Sequence, residues 1–304
     1  MLKFRGAVTR SDLPLHKIAL SIFRLAGDGR SELDLQLSGK FEMKETYHGF
    51  YGVANNNQLN LRADQGILIA THLDPNAQGW YAKGIDMHSG DSTISLTSSQ
   101  GNIEIQSDGC AIEVQNNVKT ELLAKNITLN SDGWGALDLA KGTAETQESS
   151  ATLTATDGNI TLTGSGHVLE ADSVNVAMIA KNGEISIRGE DNHVGGSGIE
   201  LKKNNNVFEA KNITFEGGNK YGTLELTEST NRITASEKFT LNGGFNRGLV
   251  SANSTTTINA KTIEITGKPS TWAKTELYNS SLRECKKLCV SLISLKWLVN
   301  QGIG

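Results

Sequence analysis

Cysteine and proline are scarce, with three of each in 304 residues. Cys110, Cys285 and Cys289 are too few and too unevenly placed to staple a small secreted scaffold, so the core must hold by packing alone. No run approaches the ~18 consecutive apolar residues of a membrane-spanning helix. The N-terminal stretch is broken by Asp12, Pro14, His16 and Lys17 and makes a poor signal peptide. Basic charge is not in excess either: 29 Lys and Arg face 33 Asp and Glu, a net charge of −4. Nothing in that balance advertises nucleic acid or an anionic membrane surface. Aromatics are only 6% of the chain, whereas glycine numbers 32 and Asn, Thr and Ser crowd its middle. That mixture suits short strands and many turns. Apolar residues, 37% before glycine is added, are numerous enough to exclude disorder as the main state.

What is present is a repeat. GNIEIQ (101–106), NITLN (126–130), NITLT (159–163), EISIR (184–188), NITFE (212–216), KFTLN (238–242) and TIEIT (262–266) follow one template. Their first apolar residues, Ile103, Ile127, Ile160, Ile185, Ile213, Phe239 and Ile263, are separated by 24, 33, 25, 28, 26 and 24 residues. A second strand-like run precedes each copy from residue 126 on, as in ELLAK (121–125) and VFEAK (207–211), and a third opens the unit, as in AIEV (111–114), ALDL (136–139), HVLE (167–170), GIEL (198–201) and TLELT (223–227). One unit therefore carries three short period-2 strands joined by turns.

Strands this short and this dense cannot form hairpin sheets of ordinary length, and no helical period separates them to make a crossover. A chain coiling once per unit remains, with equivalent strands of successive turns pairing in parallel about 4.8 Å apart around a narrow apolar core. The sequence thus predicts an all-β fold, a right-handed parallel β-helix (β-solenoid) of about eight or nine rungs over residues 31–268, its intervening Thr, Glu, Asn and Lys facing water. The handedness rests on analogy. Gly and Asn are expected at the bends, where they tolerate positive φ, and an Asn ladder at a corner fits the pattern. Residues 1–30 read as an N-terminal cap or remnant, with Leu13, Leu15, Ile18, Ile22, Phe23 and Leu25 on one side of a short capping helix. The Leu-rich tail, residues 269–304, reads as a second capping helix or as a segment unrelated to the repeat. Cys285 and Cys289 fall there at i and i+4, without the further ligands that would complete a metal site.

Laid out in this way, the chain resembles the passenger regions of bacterial autotransporter and filamentous-haemagglutinin-like adhesins. The resemblance rests on phrases such as YGVANNNQLNLRADQG, GIELKKNNNVFEAKNITFEGG and YGTLELTESTNRITASEKFTLNGG, and spans residues 48–268. It implies a secreted or surface-displayed, non-enzymatic protein acting in adhesion or biofilm formation, with a host-cell surface, glycan or matrix component as its partner. It implies outer-membrane association only through a translocator, and after residue 268 the sequence leaves no room for such a barrel. A fragment, or a partner-dependent or defective relative, is therefore expected.

The alternative is a carbohydrate-active β-helix enzyme, a polysaccharide lyase or hydrolase, which needs carboxylates aligned on neighbouring rungs with a basic residue close by. The best local cluster is Arg188, Glu190, Asp191 and His193, whose plain reading is a solvated corner. Asp108, Asp132 and Asp157 read as turn residues. No catalytic residue, cofactor or metal is expected. The calcium repeat GGxGxD is missing from the sequence, and the N-x-T triplets at Asn126, Asn159 and Asn212 arise freely in such strands. Trp80, Tyr81, Trp134 and Tyr221 could stack on sugar rings but are better read as packing against loop glycines. His16, His48, His72 and His88 look scattered, with no ligand set among them.

Overall fold

The computed structural model describes residues 2–5, 7–9, 23–26, 30–53, 56–72, 82–88, 90–116, 118–140, 149–189, 198–217, 222–243, 247–267 and 287–299. All regular structure among these residues is β-strand. One turn runs through Val118–Ala124, Ile127–Ser131 and Leu137–Ala140, and the next through Ser150–Ala155, Ile160–Gly164 and Leu169–Asp172. Each strand pairs in parallel with its copy one turn away. The first two legs build a 16-stranded sheet and the third a 10-stranded one, together a β-solenoid of about eight turns. Beyond residue 175 the first two legs fuse into single long strands, Asn175–Gly189, Asn205–Glu216, Thr230–Gly243 and Thr255–Gly267, with a register shift at each bend.

The register explains the repeat. Ile103, Ile127, Ile160, Ile185, Ile213, Phe239 and Ile263 stand one above another in a single column and all are buried. Each such side chain contributes roughly 1.5–3 kcal/mol on leaving water, but only when rungs above and below complete its enclosure.

The interior is not wholly apolar. Asn204, Asn206, Ser229, Asn231, Ser254 and Thr256 are buried, although polar residues between the apolar positions were expected to face water. They are retained because they satisfy one another both within a rung and across rungs. The Asn206 side-chain amide donates to Asn204 Oδ1 at 2.7 Å and Asn231 Oδ1 at 2.8 Å, and that of Asn231 donates to Ser229 Oγ at 2.9 Å.

The expected corner ladder is also present. Asn126 donates to Asn102 Oδ1 at 2.9 Å, and the backbone N–H groups of Asn159 and Glu184 donate to the Asn126 and Asn159 side chains at 2.8 and 2.9 Å. Another bend places a left-handed residue on turn after turn: Asn116, Ser173, Lys203, Glu228 and Asn253 have φ between 51° and 66°. Asn supplies only some of these, because the parallel ladder on either side holds the strained bend. Gly101 has a different reason for being glycine. A Cβ there would lie 2.2 Å from the Gln65 carbonyl oxygen.

At the N-terminal end, Leu2–Arg5 and Ala7–Thr9 pair antiparallel with Ser31–Leu37 and Phe23–Ala26, so strands cover the first rung. Most of the expected N-terminal helix lies outside the described residues. In the tail, Lys287–Val299 is a strand paired in parallel with Thr255–Gly267, not the expected helix. Leu288, Val290 and Leu292 recur at every second position there, and the open edge of the last turn offers a row of backbone partners. Cys285 lies outside the described residues.

Candidate functional site

Six consecutive third-leg strands share a sequence feature, an acid flanked by two apolar residues, as in Ile85-Asp86-Met87, Ile112-Glu113-Val114 and Leu137-Asp138-Leu139. In a strand the flanking residues point to the core and the acid points out. Parallel pairing places Asp86 beside Glu113, Glu113 beside Asp138, Asp138 beside Glu170, Glu170 beside Glu200 and Glu200 beside Glu225. Six carboxylates thus occupy one row, at strand spacing of about 4.8 Å. Arg24 and Tyr51 precede them in register and Val250 follows.

Two adjacent charges about 5 Å apart at a protein surface repel by roughly 3 kcal/mol, so the row needs compensation. At its first end the compensation is complete. The Lys83 ammonium lies 3.2 Å from Asp86 Oδ2 and 2.9 Å from Glu113 Oε2, with side-chain exposures of 15%, 3% and 13% for the three groups. Burial works against the Lys83 charge, but Asp86 and Glu113 outweigh it and hold its pKa above the usual lysine range. His88 Nε2 meets Asp86 Oδ1 at 2.6 Å, and this pairing raises the imidazole pKa against the effect of burial. The Gln115 side-chain amide donates to Glu113 Oε1 at 3.0 Å.

His48 lies against the same end. It stacks on Tyr51 with ring centroids 5.6 Å apart, and Tyr51 in turn meets His88 edge-on at 5.9 Å. His48 is 8% exposed, its Nδ1 has no hydrogen-bond partner among the described residues, and burial lowers its pKa despite the attraction of Asp86.

The middle of the row is different. Among the described residues no cation is paired with Asp138; burial, then Glu170 and Glu113, raise its pKa to about 7, so a proton does there what Lys83 does one rung away. Cys110 is buried beside this point, and burial followed by the Glu113 charge pushes its thiol well above the usual range. Farther along, His167 Nδ1 lies 3.3 Å from Glu200 Oε2, and the Gly222 backbone N–H donates to Glu225 Oε1 at 2.8 Å.

Two triads of potential metal donors fall within this region, Asp86–His88–Glu113 and Cys110–Glu113–Asp138, each with donor atoms within 4.8 Å of one another. Neither is assigned as a metal centre. Lys83 already bridges two members of the first, and in the second both the thiol and the Asp138 carboxyl favour their protonated forms.

The sequence-level candidates lie elsewhere. Arg188 sits at an outward position of the large sheet, 3.7 Å from Glu216, with its side chain 62% exposed. Glu190, Asp191 and His193 lie outside the described residues, as do Trp80, Tyr81, Tyr221 and His16. Trp134 is exposed near His167, with ring centroids 6.4 Å apart. Asp108 pairs with His72 at 2.8 Å. His48 and His88, forty residues apart in sequence, both lie against Tyr51, and His88 pairs with Asp86. The carboxylate row had a signal, the acid recurring in six consecutive third-leg strands, but each acid taken singly was only an outward polar residue. No protein-family model, curated protein or solved structure matches the chain.

Proposed function

We propose that this chain is a non-enzymatic, secreted or surface-displayed β-solenoid that mediates adhesion or biofilm formation, binding a host-cell, glycan or matrix ligand through extended rows of polar side chains. The observation behind this reading is the continuity of those rows. On the large sheet Thr128, Thr161, Ser186, Thr214 and Thr240 stand in register at outward positions over successive turns, so one contact is repeated at a fixed interval. Repetition of a weak contact on a rigid scaffold converts low affinity into avidity.

A carbohydrate-active enzyme is the second reading, and one observation favours it. Asp138 keeps its proton to near neutrality beside Glu113, which is ion-paired to Lys83, and such a pair has the makings of a general acid and a base. The purified chain, applied to cultured host cells and a glycan array with polygalacturonate turnover assayed in parallel, separates the two. Saturable binding without turnover is the expected result. Turnover that is abolished in Asp138→Asn would replace the adhesive reading with the enzymatic one.

A further inference from the structure

We propose that the carboxylate row of the small sheet is a pH-sensitive latch, in which a proton held at Asp138 between Glu113 and Glu170 keeps the middle turns closed and its loss loosens them.

The placement of the charges carries this. Asp138 faces Glu113 on the strand before it and Glu170 on the strand after it, with Asp86 and Glu200 one rung farther out on either side. Lys83 is committed to Asp86 and Glu113, His88 to Asp86, and His167 to Glu200. Lys202, in the neighbouring outward row, is paired with Asp172 at 3.0 Å. Cys110 beside Asp138 is neutral. With its proton, Asp138 is a neutral side chain between two carboxylates in register. Without it, three adjacent charges stand at strand spacing around a partly buried position.

The direction with pH follows. The folded chain keeps the Asp138 proton up to about pH 7, whereas an unfolded aspartate loses it near 3.9. Between those values the folded state binds more protons, so stability falls as pH rises and levels off above the folded pKa. His88, whose pKa is raised, contributes in the same direction, and His48, whose pKa is lowered, in the opposite one. The test must therefore isolate Asp138.

Amide hydrogen exchange, corrected for the intrinsic pH dependence of the rate, reads the latch at the inter-turn bonds beside it. These are Ile112 N–H to Ala136 O at 3.1 Å and Leu137 N–H to Val168 O at 3.0 Å. Between pH 5.5 and 8.5 their protection is expected to fall about 30-fold in the native chain and to stay nearly constant in Asp138→Asn. Equal losses in the two proteins would assign the effect to His88 and overturn the proposal, as would constant protection in the native chain. If Asp138→Asn does not fold, Glu170→Gln serves instead. Removing the neighbouring charge must move the midpoint of the loss to lower pH, and an unmoved midpoint overturns the latch.

Discussion

Lys83→Met is expected to lower the stability of the solenoid by about 3–5 kcal/mol, the range observed when one partner of a buried ion pair is removed. The size of the effect comes from what is left behind. Asp86 and Glu113 are almost fully enclosed and lie next to each other in register, so without the ammonium 3.2 and 2.9 Å away two carboxylates confront one another out of water. The methionine retains most of the lysine's apolar stem, which confines the loss to charge. Neutralising both acids as well, in Lys83→Met/Asp86→Asn/Glu113→Gln, should recover most of the stability, because the cost lies in the uncompensated charge. Chemical denaturation at pH 7 measures both variants. A loss below about 1 kcal/mol in the single variant would mean that the site is open enough for water to screen it.

Phe215→Ala should cost about 3–5 kcal/mol, with most of the damage confined to the turns that touch it. Phe215 is fully buried between Phe208 and Phe239, with ring centroids 5.3 and 5.6 Å away and both contacts edge-to-face. Truncation opens a void that the flanking rings cannot fill, since the inter-strand hydrogen bonds of their own turns fix their positions. In a solenoid each turn contacts only its neighbours, so hydrogen exchange should accelerate chiefly in Asn175–Gly189, Asn205–Glu216 and Thr230–Gly243. Uniform acceleration along the whole chain would instead indicate a single cooperative unit.

The regular part of this architecture was legible because a solenoid writes its geometry into one dimension. The column from Ile103 to Ile263 appears in the sequence as a spacing and in the structure as a stack. The buried Asn204, Asn206 and Asn231 were not legible: their type signals solvent, and the partners that each amide finds in a neighbouring turn, Ala171 O, Asn231 Oδ1 and Thr256 Oγ1, are distant in sequence. The carboxylate row was hidden for the same reason. Alternation places Glu113 or Glu170 outward, yet nothing within one strand says that the next outward residue is also an acid 4.8 Å away. His48 and His88 come to lie against the same Tyr51 through the turn-to-turn offset, which runs to about 35 residues at this end of the chain. The tail Lys287–Val299 shows a further limit, since a leucine-rich segment takes strand geometry where an open β edge templates it.

One parallel register runs through the turns and stacks the acids of the third leg. A crystal structure tests it most directly. Asp86, Glu113, Asp138, Glu170, Glu200 and Glu225 are expected on successive parallel strands about 4.8 Å apart, with the Lys83 ammonium between the first two. Antiparallel pairing, or a one-residue slip that turns Glu113 or Glu170 toward the core, would contradict it.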